Sequence, residues 1–146
     1  MLTTKTNSTN PFLIAPCGIN CRLCRAYARD KHGCPGCRGD DAHKSISCLG
    51  CKIKNCEKLV SGKFEFCTEC DQFPCARVAH LDKRYRTRYG LSVIDNLINI
   101  ENLSMDWFVK NENLKWACPN CGELVCMHTP HCPACGLEWR KFAASN

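Results

Sequence analysis

The chain has 146 residues, 16 of them cysteine, and a formal net charge of +6. Cysteine is counted in the 45% hydrophobic fraction; without it about one third of the chain is apolar, too little to build a large catalytic domain by packing alone. Residues 1–11 lack the apolar run of a secretory signal, and no stretch approaches the ~18 apolar residues of a membrane span, so a cytoplasmic protein without membrane contact is expected.

Disulfides are rare in that compartment, so sixteen thiols point to metal. The positive charge is a poor guide to partners. A zinc ion held by four thiolates carries a charge of about −2, and about three such sites would cancel the excess. Only local basic patches then speak for nucleic acid.

In chain order, residues 1–11 read as a polar, disordered tail. Residues 12–80 read as a cysteine-rich metal-binding domain, residues 81–115 as a helical connector, and residues 116–141 as a zinc ribbon. The fold class expected is a small, metal-stabilised, loop-rich α+β protein: an irregular multi-cysteine domain, a short connector and the ribbon.

The first domain carries Cys17, Cys21, Cys24, Cys34, Cys37, Cys48, Cys51, Cys56, Cys67, Cys70 and Cys75, all read as metal ligands. Cys17, Cys21 and Cys24 have the spacing that holds a [4Fe–4S] cluster in radical enzymes using S-adenosylmethionine. The chain has neither the length nor the βα repeats for the barrel such enzymes need. Cys34-Pro-Gly-Cys37 resembles a redox dithiol, but a thioredoxin-type motif belongs between a strand and a helix, and its surroundings here are loop. The pattern Cys48-x2-Cys51-x4-Cys56 returns as Cys67-x2-Cys70-x4-Cys75, which predicts two similar loops. Eleven thiolates fill two four-ligand sites and leave three. His80 is the best placed residue to complete a third site; His32 and His43 are weaker candidates. A water in that position would instead leave the ion open to Lewis-acid chemistry. Spacing does not settle which cysteines share a metal.

The connector predicts three helices. The first covers residues 76–89, with Val78, Leu81 and Tyr85 on one face and Gly90 as its stop. Ser92 caps the second, with Val93, Ile94, Leu97 and Ile98 as its buried stripe. Ser104 caps the third, which carries Trp107, Phe108 and Leu114. These apolar residues are expected to form a small core shared by the two metal modules.

The ribbon is the strongest signal. Cys118-Pro-Asn-Cys121-Gly122 and Cys132-Pro-Ala-Cys135-Gly136 are two knuckles whose four thiolates suit one tetrahedral zinc ion. Proline after the first cysteine presets φ, and glycine after the second permits φ > 0, so that backbone N–H groups turn toward sulfur. The spacer between them is expected to form a short hairpin. Cys126, His128 and His131, inside that spacer, read as a buried thiol and two solvated histidines rather than ligands. Four protein ligands leave no open position, which argues against catalysis at this metal.

The order of motifs is specific: Pro16-Cys17-Gly-x-x-Cys21-x-x-Cys24-x-x-Tyr27, Cys34-Pro-Gly-Cys37, Cys48-x2-Cys51-x-Ile53-x-x-Cys56, then Phe66-Cys67-x2-Cys70-x-x-Phe73-Pro74-Cys75. Over about residues 14–80 it resembles the domain of unknown function 3795 family, small cysteine-rich prokaryotic proteins presumed to bind zinc. The resemblance implies metal binding and no defined activity.

Residues 83–89, Lys-Arg-Tyr-Arg-Thr-Arg-Tyr, interleave basic and aromatic side chains, as a surface for single-stranded nucleic acid would. A half-buried helix face fits them as well. No catalytic triad, phosphate-binding loop or pair of poised carboxylates is present in the sequence. The expectation is therefore a non-enzymatic zinc-binding protein, with about three ions and room for a fourth, acting as an adaptor for protein or nucleic acid. The alternative is an iron–sulfur redox or sensor protein using the N-terminal cysteines.

Overall fold

The computed structural model describes residues 10–28 and 31–139. The expected tail falls almost wholly outside this range. Among the described residues there are six α-helices: α1 (Arg25–Ala28), α2 (Ile46–Leu49), α3 (Glu57–Val60), α4 (Ala76–Tyr89), α5 (Val93–Asn102) and α6 (Met105–Lys115). The β component of the expected α+β class is not found there. Among the described residues extended pairing is limited to two isolated antiparallel bridges, Ile14 with Asn20 and Ala117 with Leu124. The protein is helical and loop-rich.

The three long helices follow the sequence signals closely. The stop after α4 is Gly90, at φ 69°, a left-handed position that suits glycine. Ser92 Oγ accepts from Asp95 N–H at 3.1 Å to open α5, and Ser104 Oγ accepts from Trp107 N–H at 3.0 Å to open α6, each satisfying one orphan donor of the first turn. A second device joins α4 to α5. Asp82, buried on α4, accepts from Ser92 Oγ at 2.6 Å and from Ile94 N–H at 3.1 Å, and Arg86 holds its other oxygen at 2.8 Å.

Helix α5 packs against both α4 and α6. Val78, Leu81, Val93, Leu97 and Phe108 are buried, as the periodicity predicts. Ile98, Trp107 and Leu114 are not: Leu114 is 80% exposed. The inward face of α6 carries Phe108 and Glu112, one turn apart, and Trp107 and Leu114 lie off that face. Glu112 is buried with Asn20, whose amide donates to it at 3.3 Å.

Residues from all three sequence segments meet in one apolar cluster. Leu23 and Ile53 come from the cysteine-rich stretch, Val78, Leu81 and Val93 from the helices, and Trp116, Met127 and Trp139 from the C-terminal stretch. Gly18, at φ 93°, brings the first cysteine loop against α5; a Cβ there would stand 2.7 Å from Val93 O.

Between residues 31 and 75 the chain has little regular structure, and cations bind its loops through carbonyl groups. Lys44, buried, donates to Cys37 O at 2.8 Å, to Gly39 O at 2.7 Å and to the Asp41 carboxylate at 2.7 Å. Arg38 donates to Ile14 O at 2.9 Å and Glu65 O at 2.8 Å. Such bonds replace the ladders of a sheet and satisfy polar groups that burial would otherwise leave unpaired.

Candidate metal centre

All sixteen cysteines are free thiols. Cys118, Cys121, Cys132 and Cys135 offer four sulfurs within 4.8 Å of one another. Cys118 Sγ lies 3.7 Å from Cys135 Sγ, and Cys121 Sγ lies 3.6 Å from Cys132 Sγ. Those separations are far too long for a disulfide bond of about 2.05 Å. A tetrahedron with metal–sulfur bonds of about 2.3 Å has edges of about 3.8 Å, so the sulfurs already stand near the corners that a zinc-sized ion requires.

Local chain geometry produces this arrangement. In each knuckle the glycine N–H donates to the first cysteine's carbonyl, Gly122 to Cys118 O and Gly136 to Cys132 O, both at 2.9 Å. The glycines sit at φ 81° and 79°. All four sulfurs receive a backbone N–H from the residue two positions on: Asn120 to Cys118 and Ala134 to Cys132 at 3.4 Å, with Glu123 and Leu137 serving Cys121 and Cys135. Cys135 also accepts from the Asn120 side-chain amide at 3.4 Å. That amide first, and the Leu137 N–H second, draw the Cys135 thiol down to about 6. Cys121, against its Glu123 N–H donor, is held up to about 12 by desolvation and by Cys132, Cys135 and Cys118, so the clustered thiols share their ionisation. Donors of this kind favour thiolate, the form that binds metal.

The expected hairpin in the spacer is replaced by tighter turns. Cys118 N–H bonds to Glu123 O at 2.7 Å and Val125 N–H to Trp116 O at 2.9 Å, but Met127 N–H turns away to Leu23 O at 2.9 Å. The spacer thus docks on the cysteine-rich stretch instead of continuing a ladder. The expectation of two solvated histidines holds for His131, which is exposed. It fails for His128, whose Nδ1 accepts from Arg25 N–H at 3.2 Å and whose ring meets Tyr89 edge-on at 5.1 Å. Cys126 is buried, as expected, yet lies close enough to Cys24 that its charge would hold that thiol up further, after burial, which acts most.

Among the described residues no second set of three such ligand atoms lies within 4.8 Å of one another. The eleven N-terminal cysteines are nonetheless grouped. Cys21 Sγ accepts from Cys37 N–H at 3.4 Å. Burial drives the Cys17 thiol well up, and the charges of Cys37, Cys21 and Cys67 would add to it. Burial also pushes Cys67 up to about 12, followed by the charges of Cys75, Cys56, Cys70 and Cys51. His80 is exposed on α4, and His32 and His43 face each other at 4.7 Å. Lys58, which no motif marks, donates to Cys70 Sγ at 3.3 Å.

The basic segment 83–89 lies on α4 with Arg84 and Arg88 exposed and Tyr85 and Tyr89 half-buried against the core. The tyrosine rings pack edge-on at 5.1 Å. They belong to the core side of the helix, and the arginines face outward. No helix among the described residues is long and apolar enough to cross a membrane.

No curated protein and no solved structure gives a match to the chain. Residues 13–80 match the family model described as "Protein of unknown function (DUF3795)", the stretch that holds all eleven N-terminal cysteines. This cysteine-rich stretch therefore belongs to the DUF3795 family.

Proposed function

We propose that the protein is a non-enzymatic, cytoplasmic zinc-binding protein, about three ions per chain, whose C-terminal zinc ribbon is a structural site. The observation that carries this reading is the set of four convergent sulfurs at tetrahedral spacing, each with its own backbone donor. Thiolate ligands select soft or borderline ions, and four of them close the coordination sphere of zinc. Such an ion has no position for water or substrate, so its role is to hold the fold. Ion and fold together present a surface to a protein or nucleic-acid partner. A nucleic acid would be held through phosphate contacts from exposed residues such as Arg84 and Arg88, since Tyr85 and Tyr89 are packed on each other.

Elemental analysis of the purified chain, with X-ray absorption at the zinc edge, tests the reading. Zinc in stoichiometric amount with sulfur neighbours at about 2.3 Å is expected. Iron with inorganic sulfide, or a folded chain that holds no metal, would refute it.

A further inference from the structure

A second group of sulfurs surrounds a cavity of about 40 Å³ that belongs to no site described above. Cys56, Cys67, Cys70 and Cys75 line it, with Lys58 at its edge and apolar walls that include Leu59 and Val78. The four cysteines arrive from separate local structures. Cys67 opens the 3-10 turn Cys67–Glu69 and Cys70 closes it, with Cys70 N–H bonded to Cys67 O at 3.1 Å. Cys67 N–H is anchored on Pro16 O at 3.0 Å. Cys56 precedes α3 and Cys75 stands at the N-cap position of α4, a helix of 14 residues whose N-terminus favours a thiolate.

We propose that Cys56, Cys67, Cys70 and Cys75 form a second four-thiolate site for a zinc-type divalent ion, with Lys58 as the donor that offsets its charge. Four thiolates around a divalent ion leave a double negative charge, which surrounding N–H donors must offset in an apolar wall. Lys58 Nζ, 3.3 Å from Cys70 Sγ and 3.7 Å from the Asp71 carboxylate, supplies the cation. These sulfurs stand farther apart than those of the ribbon, since no three lie within 4.8 Å of one another. The cavity between them is the space into which they close on the ion by rotation about Cα–Cβ. The assignment replaces His80, the fourth ligand that spacing suggests: His80 is exposed, and Cys56 faces the cavity. It shares with the ribbon reading only the premise that these thiols take a thiophilic ion.

Native mass spectrometry of the full zinc-loaded chain tests it. Cys56→Ser is expected to hold one ion fewer than wild type, and His80→Ala the same number. An unchanged count in Cys56→Ser, or a loss in His80→Ala, overturns the assignment. If Cys56→Ser does not fold, alkylation of wild type during stepwise chelation decides. Cys56, Cys67, Cys70 and Cys75 should become reactive together, and exposure of Cys56 apart from the other three overturns the site. Failure of the ribbon reading registers separately, as a zinc count that Cys132→Ser leaves unchanged.

Discussion

In the C-terminal cluster proposed as a zinc ribbon, four sulfurs come from two knuckles of five residues each and stand 3.6–3.7 Å apart across the pairs, with backbone donors already in place. In the stretch from Cys17 to Cys75, eleven sulfurs come from loops tied by Lys44 to nearby carbonyls and by Arg38 to carbonyls 24 and 27 residues away, and no three reach the same closeness. The first arrangement is set by contacts between near neighbours in sequence. The second depends on loops closing over tens of residues, which costs chain entropy that local turns do not. The comparison teaches that a knuckle organises sulfur from within, whereas in the N-terminal loops, on the proposal above, an ion would have to draw the sulfurs together.

The largest effect expected is the response to chelation. A structural zinc ion contributes on the order of 10 kcal/mol, comparable to the net stability of a whole domain. Trp116 and Trp139 are buried, meet edge-on at 5.7 Å, and share the core with Cys118 and Cys132. Complete removal of metal should therefore abolish the near-ultraviolet circular dichroism of these tryptophans. A native spectrum from a metal-free chain would break the comparison at its root, because neither region would then depend on an ion.

Much of this was legible in the sequence, and the limits have physical causes. Gly90, Ser92 and Ser104 marked helix ends because a left-handed stop and a side-chain acceptor are local requirements. The convergence of Cys118, Cys121, Cys132 and Cys135 was legible for the same reason. The lack of strands among the described residues was not, because Met127 N–H finds Leu23 O, more than a hundred residues away, in place of a hairpin partner. Trp107 and Leu114 were misplaced because α6 turns a face with a buried glutamate, Glu112, toward the core. Lys58 carries no motif; only the fold brings it to Cys70.

Two glycine substitutions sharpen the contrast between a docked loop and a self-contained knuckle. At Gly18 a Cβ would meet Val93 O at 2.7 Å and Leu97 Cγ at 2.9 Å, with φ at 93°. Gly18→Ala should destabilise the zinc-loaded protein by about 3 kcal/mol, from backbone strain and overpacking together. At Gly122, φ is 81° and nothing lies within 4 Å of the added atom, so Gly122→Ala should cost only the left-handed penalty of about 1 kcal/mol. Denaturant unfolding at fixed free zinc measures both. Equal losses would show that the first loop does not rely on α5.

An effect between these two belongs to Asp82. Burial works to raise its carboxyl, but Ser92, the Ile94 N–H and Arg86 outweigh it and hold the group below the ordinary carboxylate range. With the folded value depressed, the contribution is complete above the unfolded value of about 4 and fades as pH falls through the folded one. Asp82→Asn should cost about 1–2 kcal/mol at neutral pH, and the gap to wild type should narrow in acid. A gap that widens in acid would show that the carboxylate is not what joins α4 to α5.

The central claim is that the ribbon's four sulfurs share one ion and the neighbouring Cys126 does not. Native mass spectrometry of the zinc-loaded chain addresses it through two single substitutions of buried cysteines. Cys132→Ser is expected to lower the bound zinc by one ion, and Cys126→Ser to leave the count at the wild-type value. Equal losses from the two substitutions, or no loss from Cys132→Ser, would contradict the account.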